Sequence, residues 1–363
     1  MKILHVINSL NTGGAEKLLL DTIPLFNLRE IEVDLLVIDG TDYPYLNKLK
    51  EKRNIKVLSL NSKNIYSPLN IFKIIPYLSK YEIIHVHLFP AQYWVALAKV
   101  FSLSTVKLVF TEHSTSNRRI KSFFLKFIDR LIYSFYDKVV CITEEVRLVL
   151  KRHIKSESTK FEIIANGVDL KLIHDSLVSD RASLSADIAN GDKLLIQVAG
   201  FRIEKDQKTV IKSLKYLPSH IKLLFVGDGV LRTGCEKLVK ELGLQSRVFF
   251  LGIRTDVPSL LKMADISVVS SHWEGMPLSV IEGMATRIPI VASNVPGVFQ
   301  LVDGVGLLFE RGNEKELATI IQELLVDEEY YKKVAEAGFQ RAKQYDINNM
   351  IDKQIQLYNE LLK

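Results

Sequence analysis

Residues 271–285 read SHWEGMPLSVIEGMA and hold two glutamates with seven residues between them. Glu274 lies beside Gly275, Met276 and Pro277, a stretch that breaks a helix. Glu282 lies among Leu278, Val280, Ile281 and Met284, an apolar run that suits one. A solvated, salt-bridged surface helix would not need the Gly-x-Pro break. Two cations, Arg202 and Lys205, follow a strand pattern in VAGFRIEKDQ. Such a pair can neutralise a diphosphate without a metal, and a solvated helix start is the alternative. Gly13 and Gly14 stand where the first strand turns into a helix, in NSLNTGGAEK. There glycine lets the backbone approach an anion, or simply makes a tight turn.

Other chemistries are excluded by what is missing. The first strand-to-helix turn has no GxGxxG, so it is not a dinucleotide fingerprint. GDGVLRTGCEK has the glycine spacing of a P-loop, but Cys235 and Glu236 stand where Lys and Ser/Thr are required. There is no Asp-x-Asp, hence no evident carboxylate cage for a divalent metal. His85 and His87 alternate on a strand and could ligate zinc. Without a nearby cysteine or a helix-borne pair, they read as same-face histidines near a sheet end.

These residues need elements to position them. Twelve short apolar runs alternate with helical patterns along the 363 residues, from KILHVIN at 2–8 to IPIVAS at 288–293. Nearly continuous apolar strands between helices predict parallel sheets covered on both faces. The fold class is therefore α/β, with two doubly wound, Rossmann-like domains. The polar, Ser/Asp-rich stretch 170–192 places a boundary between domains 1–170 and 171–363. The chain is helical from about 313, and its terminal helix, 346–363, is a candidate to pack back on the first domain. Ligands of such folds bind at the carboxyl ends of the strands.

Composition narrows the class further. Net charge is +6, from 48 basic and 42 acidic residues, compatible with an anionic ligand or membrane surface. No nucleic-acid motif is present. Cys141 and Cys235 form no CxxC, which suggests a reducing compartment. MKILHVINSL reads as a strand and not a signal peptide, and no run of about 20 apolar residues predicts a membrane span. In NRRIKSFFLKFIDRLIYSFYDK (117–138), Ile120, Phe124, Phe127, Leu131 and Phe135 recur at helical spacing. Arg118, Arg119, Lys121, Lys126 and Arg130 cluster on the rest of the surface. The stripe predicts packing onto the first sheet, or a basic aromatic face for anionic lipid.

TGGAEK (12–17), ANGVD (165–169), VAGFRIEKD (198–206), FVGDG (225–229), FLGIRTDVPSLLKMADISVVSSHWEGMPLSVIEGMA (250–285) and IPIVAS (288–293) follow one another in order. Together they resemble the retaining, nucleotide-sugar-dependent glycosyltransferases of the GT-B fold, family 4. The resemblance is strongest over 193–310. It implies two Rossmann-like domains facing each other across a cleft, the first for acceptor and the second for donor. It implies a catalytic set of His113, Glu274, Arg202 and Lys205. Donor binding would involve Gly13, Gly14, Arg202, Lys205, Glu274, Gly275, Met276, Pro277, Leu278 and Glu282. Glu274 would face the sugar, Glu282 the ribose, and the cations the diphosphate.

Two departures stand out: Gly200 where the family often has arginine, and Gly283 where it usually has alanine. Close packing of Gly283 against the nucleotide is the expectation. The expected activity is hexosyl transfer from a UDP- or GDP-sugar to a glycan or lipid-linked acceptor, in cell-surface polysaccharide synthesis. No cofactor, divalent metal or nucleic acid is expected. The location would be cytoplasmic, with peripheral association at the inner face of the membrane. The alternatives are a non-catalytic nucleotide-sugar-binding subunit and a sugar-nucleotide 2-epimerase.

Overall fold

The computed structural model describes all residues except 53–54, 115–122, 157 and 182–183, and leaves out the side chains of Phe123 and Phe124. Two compact units divide the chain: Met1–Gly167 with Ile347–Lys363, and Val168–Asp346. In the first unit the apolar runs become β1 (Lys2–Ile7), β2 (Glu32–Val37), β3 (Val57–Ser59), β4 (Ile83–His87), β5 (Lys107–Glu112), β6 (Lys138–Cys141) and β7 (Phe161–Ile163). In the second they become β8 (Lys193–Val198), β9 (Ile221–Val226), β10 (Val248–Phe250), β11 (Ile266–Val269), β12 (Ile290–Ser293) and β13 (Leu307–Phe309). β13 was not expected. Its three residues sit at the sheet edge and only Phe309 is buried, so the apolar signal is short.

Every strand pairing within the two sheets is parallel. Ile3, Leu4, Val6 and Ile7 of β1 are fully buried, as expected of a strand covered on both faces. The first sheet runs β3-β2-β1-β4-β5-β6-β7 and the second β10-β9-β8-β11-β12-β13. Strand order reverses between β1 and β4 in one and between β8 and β11 in the other. The crevice at such a reversal, beyond the carboxyl ends of the strands, is where doubly wound sheets bind ligands. It lies beside the turn carrying Gly13 in the first unit. In the second it lies between residues 199–206 and 270–277.

The helix Ile347–Leu362 belongs to the first unit, where Tyr358 is fully buried and Arg29 Nη1 lies 2.9 Å from Asp352. The basic segment forms the helix Phe123–Ser134. Arg118, Arg119, Ile120 and Lys121 lie outside the described residues, as does the side chain of Phe124. The expected buried stripe is not the one that packs. Phe127 and Leu131 are 64% and 57% exposed, whereas Asp129, Ile132 and Tyr133 are buried. The reason is polar. Asp129 accepts hydrogen bonds from Tyr93 and from His153 Nε2, the latter at 2.7 Å, so its face must turn inward.

Candidate active site

In the second unit, two loops are laced together at the strand-order reversal. Asp206 N donates to Ser270 O at 3.0 Å and His272 N donates to Glu204 O at 2.8 Å, with Lys205 and Ser271 bridged between them. This lacing brings Lys205 to Glu274. Their side chains form an ion pair, 19% and 10% exposed respectively. Ser271 Oγ donates to the same carboxylate oxygen at 2.7 Å. Ser271 is fixed in turn, because its N–H donates to Ser293 Oγ at 2.9 Å and its carbonyl accepts from that hydroxyl at 2.9 Å. Glu274 is therefore held by two donors, one charged, at a partly buried position. Such charge-assisted hydrogen bonds are the stronger kind.

The helix Leu278–Ala285 starts after Pro277 without a side-chain cap, and Val280 N donates to Pro277 O at 3.2 Å. Met276, Pro277 and Leu278 are buried, so they shape the loop from beneath. Glu282 is also buried, one helical stretch beyond Glu274. Gly297 was missed by the sequence reading. It adopts φ +81°, and a Cβ there would stand 2.5 Å from the carbonyl oxygens of both Glu274 and Gly275. Glycine at 297 is therefore what lets the 294–298 loop close against the backbone of Glu274 and Gly275.

Gly283 faces the sheet. A Cβ at 283 would lie 2.5 Å from Ile290 Cδ1 and 3.0 Å from Ser267 Oγ, so the glycine seats its helix on β11 and β12. The close packing expected at this glycine is thus made with the sheet. Of the P-loop-like glycines, Gly229 has a similar explanation, whereas Gly234 is open. A Cβ on Gly229 would meet Phe201 O at 2.5 Å, and Phe201 N donates to Asp228 O at 3.0 Å. The 227–229 turn lies against the backbone of the 199–201 loop. Arg202 is exposed, and its Nε lies 3.6 Å from where a Gly200 Cβ would stand. Its side chain thus covers the position where the family often has arginine.

The first unit carries the remaining predicted residues. Gly13 precedes the helix Gly14–Asn27 in extended backbone with no side-chain cap, and Glu16 occupies the first turn. A Cβ on Gly13 would come within 2.3 Å of the Glu16 carboxylate, whereas Gly14 is open. Asn8 laces this turn to the one after β4, donating to Phe89 O at 2.8 Å and accepting from Ala91 N at 3.1 Å. His113 lies just beyond β5, and its Nε2 is 3.2 Å from His87 Nδ1. Burial lowers its pKa to about 4, so it is neutral at pH 7. His5 joins this group, which the sequence reading missed because only strand register brings β1 beside β4.

Comparison with known proteins gives this geometry a family. Residues 12–172 match Glycosyltransferase Family 4, and residues 180–341 match Glycosyl transferases group 1. The chain belongs to the GT-B glycosyltransferases. It is 26% identical, over 94% of both chains, to the N-acetylgalactosamine-N,N'-diacetylbacillosaminyl-diphospho-undecaprenol 4-alpha-N-acetylgalactosaminyltransferase of Campylobacter jejuni. It is 23% identical to the UDP-Gal:alpha-D-GlcNAc-diphosphoundecaprenol alpha-1,3-galactosyltransferase of Escherichia coli, over 82% of this chain and 80% of that one. Anabaena HepE, solved in complex with UDP and glucose, shares the fold with a TM-score of 0.85, 22% identity and 99% coverage of both chains. Among the described residues of this glycosyltransferase, no helix is long and apolar enough to cross a membrane.

Proposed function

We propose that this glycosyltransferase moves a hexosyl unit from a UDP- or GDP-sugar to a glycan or lipid-linked acceptor, with retention of anomeric configuration and without a divalent metal. The cluster of Lys205, Glu274 and Ser271 at the strand-order reversal of the second sheet carries this reading. The UDP in the HepE structure favours a uridine donor. The diphospho-undecaprenol named for both curated relatives favours a lipid-linked acceptor, and with it a role in cell-surface polysaccharide synthesis.

Roles follow from chemistry. Glu282 is a buried acceptor suited to two adjacent ribose hydroxyls. Arg202 and Lys205 take the diphosphate. As the glycosidic bond breaks, negative charge grows on the departing diphosphate, and fixed cations stabilise that state more than the ground state. Lys205 is already positioned by Glu274, so little reorganisation is needed at the moment of reaction. Glu274 and its loop face the sugar, and the family motif assigns His113 to the sugar as well.

Peripheral attachment to the inner face of the cytoplasmic membrane fits the exposed Phe127 and Leu131, which stand beside Lys126 and the exposed Arg130. The test is a thermal-shift panel of nucleotide sugars, followed by turnover with an undecaprenyl-diphosphate-linked sugar. A donor at 100 Kd should stabilise the chain by about 2.7 kcal/mol. Acceptor-dependent release of the nucleoside diphosphate is the expected outcome. Interconversion of the donor sugar without acceptor would indicate an epimerase instead. Donor binding without any turnover would indicate the non-catalytic subunit.

A further inference from the structure

Four histidines of the first unit share one face of its sheet. His5 faces His85 across β1 and β4, and His87 follows His85 by two residues. His87 faces Thr111 on β5, and His113 follows Thr111 by two. Three of the rings are joined nitrogen to nitrogen. His5 Nδ1 is 2.9 Å from His87 Nε2, and His87 Nδ1 is 3.2 Å from His113 Nε2. His85 stands beside this row, its two nitrogens each 2.6 Å from a hydroxyl, Tyr358 Oη and Thr111 Oγ1.

Burial holds the rings neutral. It lowers the pKa of His5 to about 3 and that of His113 to about 4. His87 falls well below the usual histidine value, through burial first and its imidazole neighbours second. A neutral imidazole carries one N–H, and each nitrogen-to-nitrogen contact needs one proton. Three neutral rings with two contacts therefore allow two arrangements. In the first, His5 Nδ1–H donates to His87 Nε2, His87 Nδ1–H donates to His113 Nε2, and His113 keeps its proton on Nδ1. In the second, every proton sits on the opposite nitrogen, and His5 carries its N–H at Nε2.

The far end of the row decides between them. His5 Nε2 is buried and has no hydrogen-bond partner among the described residues. Buried N–H groups without an acceptor are rarer in folded proteins than under-used acceptors. The first arrangement leaves only a lone pair there. We infer that His5 and His87 are positioning residues that fix His113 as its Nδ1–H tautomer, making the nitrogen turned away from His87 a hydrogen-bond donor for a ligand oxygen. That this oxygen belongs to a sugar rests on the proposed glycosyl transfer; the tautomer itself does not.

A metal ion bound through His5 Nδ1 and His87 Nε2 together fits this geometry poorly. Two nitrogens at 2.0–2.1 Å from one tetrahedral zinc stand roughly 3.3 Å apart. His5 and His87 are closer, at 2.9 Å, and their rings are stacked 13° from parallel.

The experiment is a long-range ¹H–¹⁵N spectrum at pH 7 of the chain labelled at its histidine nitrogens, with no donor or acceptor present. The His113 signals are assigned by their loss in His113→Phe. The wild-type chain should show His113 protonated at Nδ1. In His87→Phe the signals should move toward the Nε2–H form that a free histidine side chain favours. An Nε2–H His113 in the wild type would overturn the inference, as would an unchanged tautomer in His87→Phe or stoichiometric zinc on these rings. Should His87→Phe fail to fold, the wild-type spectrum alone decides. Because no sugar nucleotide is used, the result is independent of whether glycosyl transfer is correct.

Discussion

Lys205 and Glu274 pair with each other, so neither acts alone. Glu274→Gln removes the anchor of Lys205 and the charge that the proposed function turns toward the sugar, so it should mainly lower kcat. Glu282→Gln should mainly raise the donor KM, because ribose contacts are alike in ground and transition states. Either loss corresponds to about 1.5–3 kcal/mol for a charge-assisted hydrogen bond. Steady-state kinetics of both variants check this, and identical signatures would show that the roles are not divided. Ser271→Ala should lower kcat less than Glu274→Gln does, since Lys205 still holds the carboxylate. An equal or larger loss in Ser271→Ala would mean that the hydroxyl, and not the lysine, positions Glu274.

Strand register brings His5, His87 and His113 together, and it makes stability depend on pH. Their folded pKa values lie below the ordinary value of about 6.5, so the unfolded chain binds protons more readily. Their contribution is fully present above about pH 6.5 and is lost as pH falls toward the folded values. Between about pH 6.5 and 4 stability should therefore decline as pH falls, with His5 and His113 contributing across the whole range. Denaturant unfolding across this range checks it, and His5→Phe should flatten the slope. A slope unchanged by His5→Phe would place the proton uptake elsewhere. The helix Phe123–Ser134 carries a second test. Changing Phe127 and Leu131 to Ser should weaken sedimentation with anionic liposomes and leave the melting temperature nearly unchanged, because both side chains are exposed. Equal sedimentation of the variant would remove this helix from membrane contact. The same elements mark how far the sequence can be read. Continuous apolar runs exposed twelve of the strands, because burial on both faces leaves a local signal. The pairing of Lys205 with Glu274 was hidden, since it depends on backbone hydrogen bonds between loops 69 residues apart. The inward face of the 123–134 helix was misread because Asp129, a charged residue, is the one its partners bury.

At the scale of the whole molecule, two doubly wound sheets each carry their candidate residues at a strand-order reversal. The second unit holds the cations and both glutamates, so it should bind the nucleotide sugar. Product formed with acceptor should keep the donor's anomeric configuration, read from the proton coupling at the new linkage; an inverted product would contradict the retaining assignment. The most direct test of metal-free transfer through Lys205 is kcat in excess EDTA, measured for wild type and Lys205→Ala with a nucleotide sugar and an undecaprenyl-diphosphate-linked acceptor. The wild type should keep its full rate, and Lys205→Ala should lose about 10²–10³ in kcat, as when one preorganised donor is removed. Activity abolished by EDTA and restored by Mg²⁺ or Mn²⁺, or a near-normal kcat in Lys205→Ala, would contradict it.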